Sequence, residues 1–373
     1  MEKRNSQQVY KTIMLIIITV LITALVTTIV IYNFVIKSGK IAIKSEDNSS
    51  LSGLEATLAS FRSVLEEKYM GEIDDETLIE GAIKGYVSAL GDPYTTYYTK
   101  EEMDELMEET TGNYVGIGIY MTLDLENNAI YVVKPMEGSP AEEAGIQTGD
   151  LITKVDGKEY SGEELDQASN AIKGEEGTTV KLEILRDGET QELEVERRKI
   201  VVSHIVEKKF DNVGYLLIED FDGGCAKEFE EKYKELESQG IDRLIIDLRN
   251  NGGGVVDEAV SIADMLLDKD DTILITKDKK GNEEITKSEH NPTITMPVVV
   301  LTNGYSASAS EILVGALQDN ERATIVGTKT YGKGVIQEVD RLNDGSGLKI
   351  TIEEYYTPNK NEINKVGIEP DEE

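Results

Sequence analysis

The sequence predicts an α/β protein that carries a β-rich insert and one membrane-spanning helix. Three observations carry that expectation. Residues 13–36 form a run of 24 residues without a charge. Between Asn113 and Arg197, short apolar runs alternate with polar residues and are punctuated by glycine, the mark of strands and tight turns. From Val213 onward, strand-length apolar runs alternate with segments of helical period, as in an α/β layer.

Composition narrows the function. The chain has 373 residues, enough for two or three domains. With 39% hydrophobic and 29% charged residues it is not a disordered polymer. Lys and Arg number 38 against 72 Asp and Glu, a net charge of −34. No nucleic acid partner is expected, because phosphate contacts need clustered cations. The acidity reads as solubility. The single Cys225 cannot close an internal disulfide and excludes Cys-rich zinc and iron–sulfur sites; it reads as a small apolar filler at a helix start. His204 and His290, the only two histidines, have no paired motif and read as surface or packing residues. No metal or cofactor is expected.

The elements follow in order. Residues 1–12 form an N-terminal cytoplasmic tail. At ~1.5 Å per residue, the run 13–36 crosses a ~30 Å hydrocarbon layer. A cleaved signal peptide has a shorter apolar region, ~7–15 residues, and a small-residue cleavage site, so an uncleaved anchor is expected. Lys3, Arg4 and Lys11 precede it and Lys37, Lys40 and Lys44 follow, a tie by the positive-inside count. The soluble mass follows an N-terminal span, as in a signal anchor, so the body is expected outside the cytoplasm of a single-pass cell-membrane protein. Residues 37–52 are polar and read as a linker. Leu54, Leu58, Phe61 and Leu65, then Leu78, Ile79, Ala82, Ile83, Tyr86 and Leu90, keep a helical period. Gly91-Asp92-Pro93 stops the second helix, which gives a helical N-terminal region, 53–102. The glutamates from Glu101 to Glu109 read as a solvated helix face.

Residues 103–198 hold a glycine-punctuated strand entry, Tyr114 to Ile119, and a capped turn of helix, Ser139 to Gly145. Strands 178–186 and 190–197 are joined by Asp187-Gly188. The loop Gly116-Ile117-Gly118-Ile119 and the segment from Ser139 to Asp150 together resemble a PDZ domain. In such a domain, backbone N–H groups of a glycine turn bind a C-terminal carboxylate, and the peptide adds as a strand. Gly116, Ile117 and Gly118 are the candidates for that peptide-binding turn.

Residues 199–373 alternate strands and helices, and three loops after strands carry chemistry. Asn250 to Gly254 exposes backbone N–H groups able to stabilise an oxyanion. Asn303 to Glu311 sets serines at a helix start, where the dipole favours negative charge. Gly327 to Gly334 nearly matches a phosphate-binding loop. Gly334 stands where that loop needs a hydroxyl, however, and residues 335–339 do not open a helix. Lys333 then has another use. A desolvated lysine loses its proton more readily and becomes a base. Serine, neutral lysine and backbone donors form a hydrolytic set that needs no histidine.

These motifs, with Leu90 to Tyr94, Asp247 to Gly254, Ser306 to Glu311, Tyr331 to Gly334 and Tyr355 to Pro358, resemble the C-terminal processing peptidase (tail-specific protease) family over most of the body. The resemblance implies a ClpP/crotonase-like α/β protease core with the PDZ domain inserted. It implies a serine endopeptidase that cuts near protein C-termini. Ser308 would be the nucleophile, Lys333 the base 25 positions later, and Gln337 the residue that orients the lysine. Ala309 and a triplet glycine, Gly253 or Gly254, would supply the oxyanion N–H groups. Its partners would be proteins with accessible C-terminal tails. Val335-Ile336 departs from the Ser-Val often found in the family, and the chain ends soon after Asp371, which leaves dimerisation through a longer C-terminal segment in doubt and the oligomeric state open. Two rivals remain: a catalytically inactive PDZ tail-binding adaptor, which leaves the Ser, Lys and Gln spacing unexplained, and a crotonase-like acyl-CoA enzyme, which has no use for Lys333.

Overall fold

A computed structural model describes residues 51–373 apart from Glu126. The expected tail and membrane span, and nearly all of the expected linker, lie outside the described residues. Among the described residues no helix is long and apolar enough to cross a membrane.

The chain divides into two units at Ile79/Glu80. In the first, α1 (Leu51–Lys68) and the beginning of α2 (Asp75–Ser88) realise the two helical periods. Arg62 on α1 pairs with Asp75. Asp74 caps α2 by accepting the Glu76 N–H and the Thr77 hydroxyl. Leu54, Leu58, Phe61 and Leu65 keep an exposed apolar face.

The second unit begins its sheets with β1 (Thr96–Tyr98), followed by α3 (Lys100–Thr111) and β2 (Asn113–Gly116). The expected solvated face of α3 is partly engaged: Glu102 pairs with Lys84 and Glu108 with Lys173. The insert then runs β3 (Ile119–Asp124), β4 (Ala129–Pro135), α4 (Pro140–Glu143), β5 (Leu151–Val155), β6 (Lys158–Glu159), α5 (Leu165–Ile172), β7 (Thr179–Arg186), β8 (Glu189–Glu196) and β9 (Arg198–Val201). Its sheet has the order β3-β4-β5-β7-β8, with β6 on β5, and is antiparallel throughout. Along β7, Val180, Leu182 and Ile184 are buried while Thr179, Lys181 and Glu183 point outward, the period of two that one buried face requires. Asp187 and Gly188 both take positive φ, 51° and 83°, as a two-residue hairpin turn demands. Strand β3 ends the sheet order, so among the described residues its outer edge is open. β2 pairs with β9 and ties both ends of the insert together.

The core runs β10 (Ile205–Phe210), β11 (Val213–Ile218), α6 (Cys225–Ser238), β12 (Arg243–Asp247), α7 (Val256–Leu266), β13 (Thr272–Asp278), β14 (Glu283–Lys287), β15 (Val298–Thr302), α8 (Ala309–Asp319), β16 (Ala323–Gly327), β17 (Val335–Arg341) and β18 (Gly347–Tyr356). One sheet has the order β10-β11-β12-β15-β16 and is parallel except for β10. A second, antiparallel sheet has the order β1-β18-β13-β14, with β17 on β18. Leu216, Ile218, Ile246, Val300 and Ile325 from the parallel sheet pack with Phe229, Ile262 and Leu313 in one buried cluster. Cys225 starts α6 in that cluster, as a filler should. Helix α8 is buried from Ala309 through Leu317, charged Glu311 included.

Strands β12, β15 and β16 are neighbours and parallel. Their C-terminal ends therefore lie side by side, and the three loops singled out in the sequence leave from one end of the sheet, where α/β sheets place their sites. The loop after β16 leads into strand β17 rather than a helix, so it is not a nucleotide cradle.

Candidate active site

The serine-rich loop sorts its hydroxyls by bonding. Ser306 Oγ donates to Leu248 O at 2.7 Å and accepts Asn303 N–H at 3.0 Å. Ser310 Oγ donates to Asn251 O at 3.1 Å. Both hold the loop after β12 against the loop after β15. Ser308 differs: it stands at the N-cap of α8 with φ 57° and ψ −116°. That conformation costs ~1–3 kcal/mol for a residue with a side chain and persists only where the surroundings over-determine it. The positive end of α8 lies beneath it. Ala309, the first residue of α8, has an N–H with no acceptor inside the helix.

Ser308 and Lys333 line one cavity of about 530 Å³, with Gly252, Gly254, Gln337 and Tyr355 also in its wall. Among the described residues no hydrogen bond joins the Ser308 hydroxyl to the Lys333 amine. The amine lies 4.8 Å from the centre of the Tyr94 ring. Burial, aided by the nearby Lys349, pulls it below the usual lysine range, against the opposing pull of Glu311 and Asp92. Asp92 in turn accepts the Tyr94 N–H at 3.1 Å and the Thr95 hydroxyl at 2.6 Å, while Thr95 Oγ1 accepts the Thr351 N–H of β18 at 3.1 Å. The Gly91-Asp92-Pro93 breaker thus does more than end a helix. It sets an aromatic face against the lysine.

Glu311 and Tyr355 connect the serine and lysine loops. The Glu311 carboxylate accepts the N–H groups of both Ser308 and Lys333, and the Tyr355 hydroxyl lies at hydrogen-bond distance from both of their carbonyls. In the sequence these two residues stand out only as members of motifs. The spacing Ser308-x-x-Glu311 before an apolar run is a capping-box signal and would have picked out the glutamate.

Gln337 lies at an irregularity in the β17–β18 register. Its amide donates to Thr351 Oγ1 at 3.3 Å, so the structure brings it to the cavity but not to the lysine amine. The glycine triplet separates its two candidates. The Gly253 N–H is engaged by Asn251 Oδ1 at 2.8 Å, whereas Gly254 lines the cavity with Ser308. Gly253 has another role. At φ +106°, its Cα packs so closely that an added Cβ would lie 2.7 Å from Ser308 Cβ.

In the insert, Gly116 ends β2, Ile117 is buried and Gly118 begins the approach to the open edge β3. Gly118 takes φ +75°, and a Cβ there would meet Ser139 Cβ at 2.5 Å. Both facts require glycine at this turn.

His204 is buried and His290 exposed. His204 Nδ1 lies 2.5 Å from Asp220 Oδ1. With Asp222 they form a group of metal-ligating composition. Two ligands held at ~2.0 Å in a tetrahedron are ~3.3 Å apart, so the His204–Asp220 contact is that of an ion pair.

Residues 212–373 match the model of peptidase family S41, residues 115–196 the PDZ domain, and residues 32–102 the N-terminal domain of the activating protease CtpB. A probable CtpA-like serine protease of Staphylococcus haemolyticus is 41% identical over 296 residues, 79% of this chain and 59% of that one. A probable CtpA-like serine protease of Staphylococcus aureus is 37% identical over 347 residues, 92% of this chain and 68% of that one. The chain thus spans about three-fifths to two-thirds of the length of these relatives. A solved candidate S41 protease from Bacteroides fragilis superposes with a TM-score of 0.50 at 19% identity, covering 82% of this chain and 85% of that one, a likeness of fold alone.

Proposed function

The chain belongs to peptidase family S41, among the CtpA-like serine proteases, and on that premise we propose that it is a membrane-anchored serine endopeptidase that recognises protein C-terminal tails. Ser308 Oγ attacks the scissile carbonyl carbon and its proton passes to the neutral Lys333 amine. The resulting ammonium protonates the departing amine as the peptide bond breaks. Water, deprotonated by the same lysine, then hydrolyses the Ser308 ester. The N–H groups of Ala309 and Gly254 face the developing oxyanion, and the Gln337 amide turns from Thr351 toward the lysine when substrate fills the cavity. What carries this reading is the meeting of Ser308, in a strained backbone at a helix N-terminus, and a lysine of depressed basicity in the wall of one cavity.

Substrate tails bind at the turn Gly116-Ile117-Gly118 and extend the sheet at the open edge of β3. The apolar run 13–36 anchors the chain in the cell membrane as a single pass, with the body outside the cytoplasm. Along the chain the parts are the cytoplasmic tail, 1–12, the anchor, 13–36, the linker, 37–52, the helical region, 53–102, the PDZ domain, 103–198, and the protease core, 199–373. Ser308→Ala and Lys333→Ala should each abolish cleavage of an unfolded protein substrate while the thermal unfolding profile persists. Full activity in either would end the dyad reading. An adaptor without catalysis would lose no function in either variant.

A further inference from the structure

The serine and the lysine lie on separate loops, 25 residues apart in the chain, and no covalent feature fixes the distance between them. Two buried side chains do. Glu311 Oε2 accepts the Ser308 N–H at 2.9 Å and the Lys333 N–H at 2.8 Å. The two backbone nitrogens are therefore at most 5.7 Å apart, the sum of those two contacts. Glu311 Oε1 accepts the Thr330 hydroxyl at 2.6 Å and the Gly332 N–H at 2.7 Å, which secures the approach to Lys333. On the other side, the Tyr355 hydroxyl of β18 lies 3.0 Å from Ser308 O and 2.5 Å from Lys333 O, its one hydrogen shared between the two carbonyls. The N–H groups of the two residues meet one oxygen, and their carbonyls meet another.

We infer that Glu311 and Tyr355 are positioning residues that clamp the backbones of Ser308 and Lys333 together, one at their N–H groups and the other at their carbonyls. The inference rests on the Ser–Lys reading of the site. Three features favour a clamp over ordinary packing. Glu311 is fully buried, and an apolar residue of its volume would fill α8 without the desolvation cost of a carboxylate. All four of its partners are donors, an arrangement that an amide cannot match, because its NH₂ would oppose a backbone N–H. And the φ of 57° at Ser308 needs external bonds to hold it; the clamp supplies one at its N–H and one at its carbonyl.

The test uses the full chain in detergent with fluorescein-labelled casein as substrate. Tyr355→Phe keeps the buried ring and deletes only the hydroxyl. The clamp predicts that kcat falls roughly 10- to 100-fold, as expected for a misplacement approaching 1 Å, with KM within about twofold and a matching fall in the rate at which a fluorophosphonate labels Ser308. Glu311→Gln should show the same split. Wild-type kcat in Tyr355→Phe, or a loss confined to KM, would overturn the clamp. Ser308→Ala is run in parallel: if it still cleaves, the dyad reading falls and the clamp with it, whereas a dead Ser308→Ala beside a fully active Tyr355→Phe removes the clamp alone. Should a variant fail to fold, amide exchange in the unaltered protein decides. The N–H groups of Ser308 and Lys333 should be as protected as the centre of α8, and rapid exchange at either contradicts the clamp.

Discussion

Alanine at Gly253 tests how tightly the glycine triplet is fitted to Ser308. The new methyl would lie 2.7 Å from Ser308 Cβ, 2.8 Å from Ala307 O and 3.0 Å from Ala309 N, on a backbone at φ +106°. The backbone conformation alone costs ~1–2 kcal/mol for a residue with a Cβ, and forcing a methyl into a filled site adds ~1–3 kcal/mol. If the protein keeps its geometry, stability drops by about 2–5 kcal/mol, or roughly 4–20 °C in Tm for a domain of this size. If instead the serine loop yields, Ser308 moves, and a shift approaching 1 Å lowers kcat by about 10²-fold. Calorimetry and steady-state proteolysis on the same preparation separate the two. Gly252→Ala is the stability control, because a Cβ there meets nothing within 4 Å; its Tm should move by no more than ~4 °C, in line with the small effect of Gly→Ala at a compatible site. A Gly253→Ala protein with wild-type Tm and wild-type kcat would refute the close approach of the triplet to Ser308.

Three other perturbations follow from the same structure. The proposed mechanism uses Lys333 as a neutral amine, and burial holds its pKa below the lysine range, so kcat/KM should rise with pH with its midpoint below ~10.4, the ordinary lysine value; a midpoint at or above that pH would show an unperturbed lysine. The Asp220 carboxylate beside Nδ1 holds His204 above its usual range despite burial. That pair therefore adds stability fully present below ~6.5 and lost as pH rises through the raised value. His204→Gln should remove this slope from the Tm–pH curve, and an unchanged slope would contradict the pairing. Gly118→Ala drives a methyl to 2.5 Å from Ser139 Cβ at φ +75°. It should weaken binding of a fluorescent C-terminal peptide at least tenfold by anisotropy, and unaltered affinity would show that this turn is not the peptide site.

Much of the site was legible because its residue types are unusual where they stand. Glycine triplets and small-residue serine runs between buried apolar strands are visible in the sequence, and the apolar strands β12 and β15 name themselves. That β12, β15 and β16 are neighbours, which brings the three loops together, depends on long-range pairing that no local pattern encodes. Strands β14 and β17 are hard to read for a different reason. Glu283 to Lys287 is largely exposed and charged, and β17 has a buried entry and an exposed, acidic remainder, so neither shows a sustained period of two. What distinguishes Gly253 from Gly254 is the Asn251 side chain, whose bond to the Gly253 N–H is a matter of geometry. Glu311 shows in the sequence only as the second half of a capping box; its reach to the lysine loop is hidden, because its partners there include the backbone N–H groups of Gly332 and Lys333, which every residue but proline carries.

The most direct measurement is the chemistry of Ser308 itself. A fluorophosphonate is incubated with the full chain, and the labelled peptide is identified by mass spectrometry in the wild type and in Lys333→Ala. A stoichiometric adduct on Ser308, formed at least 100-fold more slowly when the lysine is gone, is the result expected of a serine whose proton leaves to that amine (an effect at the lower end of general base catalysis, ~10²–10⁴-fold). Label on another residue, or equal rates in the two proteins, would contradict it.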